Sequence, residues 1–134
     1  MRGAGFVGAT REWDDGVVAW TVLIVDDHAG FRSGARLLLE AEGFDVLGEA
    51  ADGESAVEQA RRLRPQVVLL DVQLPGIDGF AVAERLAAEP AAPAVVLISS
   101  RDRGAFRGRL EATPARGFIT KAEFSGECLS SLLA

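Results

Sequence analysis

The sequence predicts an α/β protein, a doubly wound five-stranded parallel sheet with helices on both faces. Three observations predict it. Short apolar, largely β-branched runs recur at residues 21–25, 67–70 and 95–98, apolar apart from Thr21, as a strand buried on both sides requires. Stripes of apolar residues at helical spacing separate those runs. Polar residues follow directly on the runs, where an open parallel sheet builds its sites. The 134 residues fit one domain, and 49% hydrophobic against 25% charged residues is enough apolar material for a single core.

Each element has its own signal. Residues 1–19 read as a flexible extension, because Gly3, Gly5, Gly8 and Gly16 lie among polar residues with no sustained period. Trp13 and Trp20 could pack on the domain, which spans residues 20–134. Residues 21–25 form the first strand. Phe31, Ala35, Leu38, Leu39 and Glu42 then fall at helical spacing, and Gly43 stops that helix. Residues 44–48 give a weak second strand. Asp52-Gly53 reads as a turn, and Ala56, Val57, Ala60 and Leu63 form the stripe of a helix ending before Pro65. Arg61, Arg62 and Arg64 are its solvated end, favourable near a helix carboxyl terminus.

Residues 67–70 are the clearest strand. A turn at Leu74-Pro75-Gly76 leads into a helix carrying Phe80, Val82, Ala83, Leu86 and Ala87, up to Pro90. Residues 95–98 and 117–120 are the fourth and fifth strands. The helix between them, over residues 104–112, is expected to be short or irregular, because Gly104 and Gly108 each cost up to about 1 kcal/mol relative to Ala. Ser125 reads as the N-cap of a last helix over residues 126–134, with Cys128, Leu129, Leu132 and Leu133 facing inward. Cys128 is read as a small core hydrophobe.

Composition excludes several classes. Fourteen Lys plus Arg against twenty Asp plus Glu leave a formal charge of −6, the wrong sign for direct DNA binding. The longest apolar stretch, residues 17–25, is less than half of the roughly 20 residues that cross a bilayer. No apolar run of signal-peptide length follows Arg2. Cys128 is the only cysteine, so no intrachain disulfide forms, and a cytoplasmic, reducing home with no membrane contact is expected.

The strand ends carry the chemistry. Asp26 and Asp27 follow the first strand, Asp71 the third, Ser99 and Ser100 the fourth, and Lys121 the fifth. Lys121 is the only lysine beside thirteen arginines, and a compact ammonium is not interchangeable with a guanidinium. Three carboxylates and one ammonium total −2, and carboxylates crowded together repel unless a cation intervenes. A few carboxylates open to water suit Mg²⁺. His28 is isolated and reads as a loop or helix-start residue rather than a ligand. In such a site a carboxylate can attack a phosphoryl group to give a mixed anhydride, with Asp71 the best nucleophile. Asp26 and Asp27 then hold the metal, while Lys121 and the Ser99 hydroxyl neutralise or bond the transferring oxygens.

These residues resemble the receiver domain of bacterial two-component response regulators, over residue 22 to the carboxyl terminus. The landmarks are VLIVDDH, VVLLDVQLPGIDGF, VVLISS and GFITK, in the family's order; Asp26-Asp27-His28 followed by Phe31-Arg32 is similar to the NarL/FixJ subfamily. The resemblance implies a flavodoxin-like fold with strand order 2-1-3-4-5. It implies that Asp71 accepts a phosphoryl group from a sensor histidine kinase or phosphotransfer protein. It further implies Mg²⁺ held by Asp71, by Asp27 directly, by Asp26 through water and by the Gln73 main-chain carbonyl. Ser99 matches the switch hydroxyl, Phe118 the switch aromatic and Lys121 the motif lysine.

Ala122 stands where the family often has a cis proline, so a trans Lys121–Ala122 bond is expected. Phe118 lacks a tyrosine hydroxyl and would switch by packing alone. The expected protein is a stand-alone receiver, monomeric or weakly dimeric on phosphorylation, and not a separate enzyme; it signals by contact with an unidentified downstream protein. Three other readings are weighed beside it. A haloacid-dehalogenase-type phosphatase would carry a second Asp where this chain has Gln73. A phosphate-independent adaptor would have lost one of the acidic or lysine residues. The third is the receiver half of a split transcription factor.

Overall fold

The computed structural model describes residues 10–12 and 18–134. Strand β1 (Thr10–Glu12) runs antiparallel to the start of β2 (Val18–Val25), with Thr10 opposite Trp20 and Glu12 opposite Val18. The extension expected over residues 1–19 otherwise falls on residues 1–9 and 13–17, outside the described residues, as does Trp13. β2 therefore starts before the apolar run that announced it. Backbone pairing, which the residue pattern does not encode, extends the strand.

Five parallel strands follow one another across the main sheet. β2 pairs with β3 (Asp45–Ala50) on one side and β4 (Val67–Asp71) on the other; β5 (Ala94–Ser99) and β6 (Gly117–Thr120) complete it. Counted along the parallel strands, the order is 2-1-3-4-5. Between and after them come α1 (Ala29–Ala41), α2 (Gly53–Leu63), α3 (Gly79–Ala87), α4 (Arg109–Ala112) and α5 (Gly126–Leu133).

Side-chain alternation divides the core in two. Val22, Ile24, Leu69 and Ile98 face Leu39 of α1 and Leu129 of α5, while Leu23, Val25, Leu70 and Leu97 face Val57 of α2 and Leu86 of α3. Both clusters are closed to water, which is why the strands read as continuous apolar runs.

Local chemistry sets the helix starts. Asp52 is not in a turn; its side chain accepts the Ser55 N–H at 2.8 Å and caps α2, whose far end closes with Arg64 in the left-handed region at φ +51°. Asp78 caps α3 through the Ala81 N–H at 3.0 Å, and Ser125 caps α5 through the Cys128 N–H at 3.1 Å. Within α5, Leu129 and Leu133 are buried while Cys128 and Leu132 are half-buried against the same cluster.

The expected weak helix is irregular. A 3₁₀ turn at Arg103–Phe106 is separated from the four-residue α4 by Gly108, whose φ of +83° no β-carbon tolerates easily. β3 runs two residues beyond the expected weak strand, because Glu49 and Ala50 pair with Ile24 and Val25. There is no cis peptide among the described residues, so the Lys121–Ala122 bond is trans as expected.

Candidate functional site

The site grows from the carboxyl ends of β2, β4, β5 and β6. Asp26 continues the β2–β3 pairing by donating its N–H to the Ala50 carbonyl at 3.0 Å, and its side chain is fully buried. The chain then turns into α1 at His28, the N-cap residue. His28 N–H donates to Asp26 Oδ1 at 2.8 Å, and the ring Nδ1 lies 3.2 Å from Asp26 Oδ1 and 3.2 Å from Asp27 Oδ1.

One turn into α1, Arg32 donates to the Asp26 carbonyl at 2.6 Å. Its Nε pairs with Glu49 Oε1 at 3.0 Å, and Arg36 Nε pairs with Glu49 Oε2 at 2.7 Å. The Arg36 hydrogen bond, with Arg32 beside it, holds the Glu49 carboxyl below its ordinary range; the same bond raises Arg36. This braced pair of helix arginines fixes the loop that carries the acidic residues.

Asp71 ends β4 and is 3% exposed. Its Oδ1 accepts the Gln73 N–H at 3.1 Å. The loop beyond it is tied down twice: Val72 N–H donates to the Ile98 carbonyl at 2.9 Å, and Gly79 N–H to the Val72 carbonyl at 2.8 Å. A β-carbon on Gly79 would run into the Asp71 carbonyl and stand 2.7 Å from Val72 Cα, so only glycine lets α3 start this close to the strand end.

Lys121 reaches in from the end of β6. Its Nζ lies 2.6 Å from Asp26 Oδ2 and 3.6 Å from Asp71 Oδ2, and sits 4.5 Å from the Phe31 ring centroid. Burial and the nearby Asp26 charge raise the Asp71 carboxyl to about 6 against the opposing pull of the Gln73 N–H and Lys121, burial being the largest effect. Ser99 is fully buried at the end of β5, and its Oγ accepts the Arg101 N–H at 3.0 Å. Phe118 lies one strand-turn deeper, buried against Phe106 at 6.0 Å between ring centroids and beneath the Arg103 guanidinium at 5.5 Å.

The structure thus brings Asp26, Asp71 and Lys121 into contact, with Asp27 joined through His28. Ser99 lies on the neighbouring strand end and Gln73 contributes its backbone. Phe118 belongs to the packing behind the site. Sequence reasoning set His28 aside as a ligand, used Phe31 and Arg32 only for the helix stripe and the subfamily resemblance, and gave neither them nor Glu49 a role in the site. The available signal was their spacing: positions 28, 31 and 32 open the first helix at i, i+3 and i+4, hence on one face over the strand end.

The donor set also fits a hard divalent cation. Asp26, Asp27, His28 and Asp71 each offer a ligand atom, all within 4.8 Å of one another. Asp26 Oδ2 is buried and its charge is balanced by the Lys121 ammonium 2.6 Å away. A buried carboxylate oxygen that needs a cation beside it suits a metal ion as well. Chemically, the arrangement presents two buried carboxylates, one exposed carboxylate and an ammonium around a common point, as charge neutralisation at a phosphoryl group requires.

Comparison with known proteins agrees with this geometry. The family model for the response regulator receiver domain matches residues 22–132. The response regulator GacA of Pseudomonas viridiflava is 36% identical over 112 residues, covering 83% of this chain and 52% of that protein. GacA of Pseudomonas aeruginosa is 40% identical over 101 residues, 75% of this chain and 47% of that protein. The chain therefore spans about half the length of the curated relatives it matches.

Among solved structures, the signal receiver domain of NarL from Mycobacterium tuberculosis superposes with a TM-score of 0.76 at 34% identity, covering 86% of this chain and 94% of that one. CheY from Borrelia burgdorferi, solved in complex with CheX, BeF₃ and Mg²⁺, gives 0.75 at 25% identity, covering 90% of each chain. The fold and the strand-end site define an α/β receiver-type domain, and the chain belongs to the response regulator receiver family.

Proposed function

We propose that this receiver takes a phosphoryl group onto the Asp71 carboxylate from the phosphohistidine of a sensor histidine kinase or phosphotransfer protein. The observation that carries the reading is the contact of Lys121 with both Asp26 and Asp71 at the sheet edge. An Asp71 oxygen attacks phosphorus, the P–N bond to the donor imidazole breaks, and that nitrogen keeps the bonding pair. The product is an acyl phosphate on Asp71. Lys121 neutralises the incoming oxygens. Asp26, Asp27 and the Gln73 carbonyl, together with Asp71 itself, would hold Mg²⁺, which supplies further charge neutralisation to the transferring group.

The phosphorylated state is read through Ser99 and Phe118. The Ser99 hydroxyl exchanges its bond from Arg101 N–H for the phosphoryl group, and Phe118 repacks among Phe106 and Arg103. Phe118 can move only by packing, because it carries no hydroxyl. A downstream protein then recognises the altered β5–β6 side by contact, with no DNA bound by these residues. The receiver takes part in its own phosphorylation without turning over a separate substrate, works in the cytoplasm, and is a monomer or a weak phosphorylation-dependent dimer. No described helix is long and apolar enough to cross a membrane.

Intact-protein mass after incubation with acetyl phosphate and Mg²⁺ tests the reading. One added phosphoryl group, lost without Mg²⁺ and in Asp71→Asn, is the expected result. No gain, together with no response to beryllofluoride, would replace it with the phosphate-independent adaptor.

A further inference from the structure

Lys121 is the only lysine of the chain, and its ammonium is gripped unevenly. Nζ stands 2.6 Å from Asp26 Oδ2 but 3.6 Å from Asp71 Oδ2, so the carboxylate assigned the chemistry is the farther of the two. A lysine head sits on a flexible four-carbon stem, and two unequal charges alone do not fix it. Its third neighbour is the Phe31 ring, with the ring centroid 4.5 Å beneath Nζ. The ring face carries the negative end of the aromatic quadrupole. The Lys121 side chain is only 18% exposed, so water screens that attraction little.

Phe31 also braces the turn from which Lys121 reaches. Lys121–Glu123 form a 3₁₀ turn in which Ala122 and Glu123 are exposed, and the Phe124 N–H closes it on the Lys121 carbonyl at 3.4 Å. Phe124, the next residue, packs inward, and its ring meets the Phe31 ring at 5.9 Å between centroids and an angle of 54°. One side chain of α1 therefore touches both ends of the turn: the ammonium directly, and the backbone through Phe124. Packing alone asks only that residue 31 be apolar; the contact with the ammonium asks for a ring.

We infer that Phe31 is a positioning residue for the phosphoryl transfer: its ring holds the Lys121 ammonium beside Asp71 and, through Phe124, steadies the turn that carries it. The inference rests on the phosphorylation of Asp71 proposed above. Leucine at position 31 fills the apolar space but offers the ammonium no ring face. The ammonium then settles on Asp26 or in water, and the oxygens of an incoming phosphoryl group meet less compensating charge.

The test reads the transfer rate and the lysine separately. Time courses of intact-protein mass with acetyl phosphate and Mg²⁺ compare the wild type, Phe31→Leu and Phe31→Tyr. The rate is expected to fall about fivefold or more in Phe31→Leu and to return to within about twofold of wild type in Phe31→Tyr. Because Lys121 is the only lysine, ¹³C-labelled lysine gives a single Hε–Cε signal. The ring current of Phe31 should place that signal upfield of free lysine in the wild type and in Phe31→Tyr, and Phe31→Leu should move it back toward the free position. A wild-type signal at the free-lysine position overturns the inference without relying on any variant to fold. So does a Phe31→Leu rate within about twofold of wild type, the result a purely packing residue gives. In either case a wild type that gains a phosphoryl group leaves the proposed function standing. Wild-type protein that gains none overturns the proposed function and this inference with it.

Discussion

The two sides of the sheet edge are built differently. On the β2–β4 side, the functional groups hang from backbone tied to the neighbouring strands and helices. Asp26 is anchored to Ala50, Arg32 clamps its carbonyl from α1, Glu49 braces that clamp from β3, and Gly79 lies against Asp71. On the β5–β6 side, the segment from Arg103 to Ala112 is a 3₁₀ turn, a left-handed glycine and four helical residues. It is held by aromatic edges and surface guanidiniums: Phe80–Phe106 at 5.8 Å, Phe106–Phe118 at 6.0 Å, and Arg109 over Phe80 at 4.2 Å. Phe106 is the only residue of that stretch that is buried. One side fixes charge, the other is cheap to move, and a domain that must both capture a group and report it needs one of each.

Truncation should break the symmetry most. Leu39→Ala, at a fully buried position, should cost about 3–4 kcal/mol in urea unfolding, whereas half-buried Leu110→Ala in α4 should cost about 1 kcal/mol or less. Equal losses would show that the two sides are not distinct. Glycine gives the next contrast. Gly79→Ala should destabilise by about 2–3 kcal/mol, because backbone rather than a side-chain tip meets the new methyl group. Gly104→Ala, with its nearest neighbour atom at 3.8 Å, should stabilise by up to about 1 kcal/mol.

Charge sharpens the comparison further. Ionised Asp71 is a burden on the cation-free fold, since its carboxyl is raised to about 6 from an ordinary 3.8. The wild type therefore loses stability as pH rises through that interval, and Asp71→Asn should be more stable at pH above 6 by about 1–3 kcal/mol. That gain should shrink as the pH is lowered toward 3.8, which paired denaturation curves would show. Glu49 has the opposite sign. Its depressed carboxyl contributes stability above its ordinary 4.5 that is lost as pH falls through the lower folded value. Glu49→Gln should thus cost about 1 kcal/mol near neutrality and almost nothing in acid. A loss independent of pH would mean that Glu49 acts by shape alone.

Most of the architecture was legible because burial imposes it. A strand covered on both faces must be apolar throughout, as residues 67–70 and 95–98 are, and a helix beside it must repeat at 3.6 residues, as Ala56 to Leu63 does. The irregular fourth helix was legible from Gly104 and Gly108. Asp52 was misread as a turn residue because Asp serves turns and N-caps equally, and only the continuing helix distinguishes them. The six-residue length of β3 was set by its partner β2, a fact of pairing rather than of its own residues.

The sequence by itself determined the alternation of strands and helices, and hence that Asp26, Asp27, Asp71, Ser99 and Lys121 share one edge, because strand ends in a parallel sheet all point the same way. Only the tertiary structure decided what those groups do to each other. Contact distances between residues 50 and 95 positions apart depend on packing, so the ion pairs of Lys121 with Asp71 and Asp26 could not be read from the chain. The same holds for His28. Alone in sequence it is a loop residue, and only the folded strand end brings its Nδ1 to 3.2 Å from two carboxylates.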